Sequence, residues 1–98
     1  MGLFNLFKTN NNGSLYRGGD GASIETAIVI NTTNSMIGVP AEYKYIIGKY
    51  GQKDVGWILE SQAVMENNGR NYDRINIKLN NGELKKYYFD ITLFYDKF

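Results

Sequence analysis

Cysteine and histidine are both absent from the 98 residues, and proline occurs once. Without a thiol or an imidazole there is no disulfide, no Cys-His or Ser-His-Asp nucleophile, no imidazole acid/base catalysis and no ordinary zinc or haem site. The disulfide-stapled secreted class is excluded with them. Neither sign of charge dominates: eleven Lys and Arg against ten Asp and Glu leave +1, which argues against a dedicated polyanion binder. No apolar run approaches the roughly 18 residues a membrane-spanning helix needs. What is abundant is aromatic: eight Tyr, five Phe and one Trp.

Residues 1–14 read as a hydrophobic arm and a polar linker, and residues 15–98 as one domain. Leu3, Phe4, Leu6 and Phe7 supply the arm, which docks on the domain, with a membrane or a partner as the alternatives. The stretch lacks a basic leader and a long apolar core, so a cytoplasmic location is expected. Leu6 stands where a myristoylation signal wants Ser or Thr. Gly18-Gly19-Asp20-Gly21 has neither the Lys-Ser/Thr of a phosphate loop nor a full GxGxxG, and reads as a turn.

Ala27-Ile28-Val29-Ile30 is a short apolar run, expected as the first strand. Val39, Tyr43, Ile46, Ile47 and Tyr50 recur at the helical period, with Pro40 expected at the first helical position and Gly51 at the stop. From Trp57 onward the period falls to two, giving three strands at about 57–66, 70–79 and 83–94. The loops between them are Asn67-Asn68-Gly69 and Asn80-Asn81-Gly82. Three-residue loops with glycine at a left-handed bulge pair Tyr87 with Ile75 and Lys85 with Ile77. The same rule at the first loop pairs Ala63 with Asp73, Ser61 with Ile75, Leu59 with Ile77 and Trp57 with Leu79.

That register collects Trp57, Leu59, Ala63, Ile75, Ile77, Leu79, Tyr87, Phe89, Ile91 and Leu93 on one face, where the helix should pack. The expected fold is α+β, one amphipathic helix on a twisted antiparallel sheet in the order β-α-β-β-β. Asp73 and Lys85 are misfits on this face, placed at its rim or hydrogen-bonded.

The opposite face carries the rows Val64-Tyr72-Asp90, Gln62-Arg74-Tyr88, Glu60-Asn76-Lys86 and Ile58-Lys78-Leu84. Glu60, Gln62, Tyr72, Arg74, Tyr88 and Asp90 are therefore the candidate binding residues, since Tyr and Arg combine large contact area with a polar handle. Three readings of them stay open. One is a solvated face of cross-strand pairs such as Arg74 with Asp90. The second is a surface for a ligand or partner protein. The third is a single-strand nucleic-acid platform stacking on Tyr72 and Tyr88, which Glu60 and Asp90 oppose.

No catalytic motif is present. A glycosidase-type carboxylate pair would need a cleft that so small a chain rarely supplies. Asp20, the nearest thing to a calcium-loop donor, lacks the acidic spacing of such a loop. No metal or other cofactor is expected, and the partner should be another protein rather than a membrane or a nucleic acid. A homodimer through an open sheet edge is a further possibility, as is a small-ligand binder or weak hydrolase with a pocket between the helix and the strand ends.

The segments Gly18-Gly19-Asp20-Gly21 through Ile30, Tyr72-Asp73-Arg74-Ile75 and Tyr88-Phe89-Asp90-Ile91 resemble those of small bacterial cytosolic α+β domains. Some of these are similar to immunity proteins that neutralise a neighbouring toxin. The resemblance implies a protein-binding role and transfers no functional residue.

Overall fold

Asn34 starts the helix, a full turn before Pro40. Its Oδ1 accepts the Met36 N–H at 2.9 Å, and its carbonyl receives the N–H groups of Ile37 and Gly38, so the first free donors of the helix are satisfied. The computed structural model describes residues 14–96, and α1 runs Ser35–Tyr50 with Pro40 inside it. The expectation that Pro40 opens the helix is corrected. Proline removes only the bond to the Met36 carbonyl, and that turn is open to solvent. Gly51 ends the helix at φ 93°, donating to the Ile47 carbonyl. The arm residues Leu3, Phe4, Leu6 and Phe7 lie outside the described residues.

The strands are β1 (Tyr16–Gly18), β2 (Ile28–Ile30), β3 (Trp57–Asn67), β4 (Arg70–Leu79) and β5 (Leu84–Asp90). Their spatial order is β1-β2-β5-β4-β3. β2 pairs with β5 in parallel and all other neighbours are antiparallel, so the expected all-antiparallel sheet is corrected to a mixed one. The reason is connectivity: α1 carries the chain from β2 across one face to β3, and the meander then returns β5 in the direction of β2. β1 was not expected; three residues give no periodic signal, and the strand exists by pairing with β2. Gly18 ends β1 at φ 87°, and Gly19 to Gly21 form part of the connection to β2, with Gly21 at φ 85°.

At the second hairpin, Asp73 faces Phe89, Ile75 faces Tyr87 and Ile77 faces Lys85, the register expected from a three-residue loop. At the first hairpin the turn is Asn68-Gly69, with φ 53° and 79°, and Asn67 pairs with Arg70. Two successive positive φ values match the twist of a two-residue hairpin. A bulge between Leu59 and Ser61 then restores the expected pairs Leu59 with Ile77 and Trp57 with Leu79. Between bulge and turn every side chain is on the face opposite to the one expected. Gln62 faces Ile75 and Val64 faces Asp73, while Ala63 moves to the outer side opposite Arg74.

One core fills the space between α1 and the sheet. Ile28, Ile30, Ala41, Ile46, Trp57, Ile75, Ile77, Phe89 and Phe94 are almost wholly buried. Phe94 holds the core position expected for Leu93, because Ile91 closes onto the Asn71 carbonyl and the chain turns back. The Phe94 ring lies against Gly38, where a Cβ would fall 2.5 Å from it. Val39, expected in the helix stripe, is 45% exposed, and Ala41 and Glu42 point inward instead.

Candidate functional site

α1 covers one face of the sheet, and among the described residues no helix or strand covers the other. On that outer face β4 and β5 place Tyr72 beside Asp90, Arg74 beside Tyr88, Asn76 beside Lys86 and Lys78 beside Leu84. Four of the six candidate residues, Tyr72, Arg74, Tyr88 and Asp90, are thus brought together as expected. Glu60 is the residue at the bulge, 4.0 Å from Lys78. Gln62 is not on this face. The bulge turns it toward the helix, and Ala63, Ser61 and Met65 stand in β3 opposite Arg74, Asn76 and Tyr72.

The anticipated pair of Arg74 with Asp90 does not form. Asp90 Oδ2 instead accepts from Arg70 Nε at 2.7 Å, and its other oxygen accepts from the Thr92 hydroxyl at 2.6 Å and the Thr92 N–H at 3.0 Å. Burial pushes the Asp90 carboxyl up, and these bonds together more than reverse it, holding it below the usual carboxylate range. Asp90 is thereby neutralised in place.

Among the described residues Arg74 has no carboxylate partner, and its buried Nε is unpartnered. Lys86 lies over the Tyr88 ring, 5.9 Å from its centre. Arg17 extends the same face from β1, opposite Val29. Five cations (Arg17, Arg70, Arg74, Lys78 and Lys86) against two acids, Asp90 and Glu60, make this face positive in a chain whose total is only +1. Pairing fixes the side of each residue, so the concentration of charge appears only once the strands are aligned. The middle of the face is a shallow depression of about 490 Å³ beside Glu60, Ser61, Asn76 and Lys86, and exposed Ile58 and Leu84 flank Lys78.

Under the sheet lies a second polar group. Glu42 of α1 and Asp73 of β4 are 5% and 3% exposed, and Glu42 Oε1 and Asp73 Oδ1 are buried with no hydrogen-bond donor among the described residues. Gln62 Nε2 donates to Asp73 Oδ2 at 2.6 Å, and the Tyr43 hydroxyl donates to Gln62 Oε1. Burial, then the neighbouring Asp73 carboxyl, push the Glu42 carboxyl up to about 10. Burial and the same two carboxyl groups also raise the Tyr43 hydroxyl. The misfit of Asp73 on an apolar face was the one signal of this cluster in the sequence. Neither carboxyl lines the depression on the outer face or the hollow at the end of α1.

Among the described residues no three carboxylates converge as a cation site would require. Asp20 caps its own loop, accepting the Ala22 N–H at 3.0 Å. Nor, among these residues, is any helix long and apolar enough to cross a membrane. A second hollow of about 320 Å³ lies where the end of α1 meets β5, between Asp20, Lys49, Tyr50, Lys85 and Tyr87. No protein-family model, curated protein or solved structure matches the chain.

Proposed function

We propose that the chain is a cytoplasmic protein-interaction domain that meets its partner with the outer face of the sheet. The supporting observation is the Tyr88/Arg74/Lys86 surface, which no helix or strand among the described residues covers and on which Arg74 has no carboxylate partner among those residues. A guanidinium whose Nε is shut off from water has lost part of its hydration, and a carboxylate or carbonyl acceptor brought to the group from outside offsets that loss. Tyr88 adds contact area at small entropic cost, as aromatic anchors of interfaces do.

The most specific version is neutralisation of a toxin by an immunity-like protein. Affinity capture from the native lysate tests the interaction with wild type and Arg74→Glu as parallel baits. A protein kept by wild type and lost by the variant, at equal thermal stability, supports this reading; equal retention by both baits overturns the surface. For the toxin version, the captured protein should arrest growth when expressed alone and be tolerated with the wild-type domain.

The hollow at the end of α1 supports a second reading, a small-ligand site or weak hydrolase. A thermal-shift screen of sugars, nucleotides and divalent ions tests it, because a ligand of the native state raises the midpoint. A flat response removes it.

A further inference from the structure

The chemistry of the missing partner can be narrowed from the charges and the register of the outer face; this step rests on the reading of that face as an interaction surface. Arg70 and Lys78 are already engaged by Asp90 and Glu60, at 2.7 and 4.0 Å. Arg74, Lys86 and Arg17 have no carboxylate partner among the described residues. Arg74 pairs with Tyr88 and Lys86 with Asn76, so the two cations are diagonal neighbours on adjacent strands. Such neighbours lie about 7–8 Å apart at the backbone. In an extended peptide, residues two apart project on the same side about 6.5–7 Å from each other. The spacing of Arg74 and Lys86 therefore suits two acidic side chains in alternate positions of an extended segment.

We propose that the outer sheet face docks an acidic segment of a protein partner, with Arg74 and Lys86 receiving alternate carboxylates. Charge complementarity is the ground: the cations left over are three, and no uncompensated acid faces them. A single-stranded nucleic acid would also bring negative charge, but it needs exposed rings to stack on. Tyr72 is only 7% exposed, and Lys86 lies over the ring of Tyr88. Exposed Ile58 and Leu84 at the margin offer apolar contact to a polypeptide, where a phosphate backbone gains nothing.

The test is a titration of the isotope-labelled protein, followed by backbone amide shifts, with three probes. These are a short peptide of alternating Glu and Ser, the same peptide with Lys for Glu, and a short oligothymidylate. The Glu peptide should give saturable shifts centred on Arg74, Asn76, Lys86 and Tyr88, and should weaken as salt rises to about 150 mM. Arg74→Ala, or Arg74→Gln should alanine disturb the fold, should weaken it at least about tenfold. Lys44→Ala, on the exposed side of α1, should leave it unchanged.

Absence of saturable shifts with the Glu peptide overturns the proposal. Oligothymidylate binding the same residues equally well or better also overturns it, and points to nucleic acid. So does a Glu-peptide affinity indifferent to Arg74. If Arg74-dependent capture of a protein succeeds while the Glu peptide fails, the interaction face stands and its acidic chemistry falls.

Discussion

Replacing Glu42 by Gln should make the protein more stable at neutral pH, and the gain should grow with pH. In the native state Glu42 keeps its proton up to about 10, whereas its ordinary value is 4.5. Between those limits the folded chain holds one proton that the unfolded chain has released. Stability must then fall as pH rises, by about 1.4 kcal/mol for each pH unit per proton held. The contribution is complete below the ordinary value and is lost through the folded one. Gln presents a neutral amide of the same shape to Asp73 and has no proton to lose. The wild-type and Glu42→Gln curves should therefore separate by about 3 kcal/mol between pH 6 and pH 8.

The assay is urea unfolding at a series of pH values, read by Trp57, the sole tryptophan, which is buried and stacked on Tyr43 at 6.3 Å between ring centres. Subtracting the two curves removes every group the proteins share. A difference that stays constant within about 0.5 kcal/mol from pH 5 to pH 9 would refute the account of a protonated Glu42. Such a flat difference would mean that Glu42 is ionised in the fold, since neither state would then hold its proton in this range.

Two further outcomes test the packing and the register. Gly38→Ala should destabilise by about 1–3 kcal/mol despite the better helix propensity of alanine, because its Cβ would fall 2.5 Å from the Phe94 ring; adding Phe94→Leu should recover part of the loss in chemical denaturation. Deleting Glu60 should remove the bulge and leave Gln62 on Asp73. Deleting Ala63 should absorb the same bulge but rotate Gln62 to the outer face, leaving a buried carboxylate short of a donor at a cost of about 1–3 kcal/mol. Equal stability of the two deletion variants would contradict this account of the bulge.

The candidate site was legible in the sequence as far as its strands were regular. Tyr72, Arg74, Tyr88 and Asp90 lie on β4 and β5, whose loop has its glycine at φ 90° with the Gly82 N–H bonded to the Leu79 carbonyl. Chemistry that local decides register, and register decides the face. Gln62 was misplaced because two turn geometries fit Asn67-Asn68-Gly69 and only the packing of β3 selects one. Had the two-residue turn been used alone, Trp57 would have left the core. The bulge at Glu60 reconciles a turn that wants one register with a tryptophan that wants the other.

Local sequence by itself determined the elements whose signals are periodic or steric: the helix stop at Gly51, the strands from Trp57 onward, the three-residue second loop, and a core of Trp57, Ile75, Ile77, Tyr87 and Phe89. Tertiary structure decided what depends on residues far apart in the chain. β1 has too few residues to stand without β2, and β2 becomes parallel to β5 only because α1 crosses the sheet. Glu42 is held well above the usual carboxylate range because helix and sheet close over it beside Asp73, removing the water that would otherwise solvate its charge. The positive outer face has the same origin. Its cations are scattered through a nearly neutral chain and come onto one surface when the strands align.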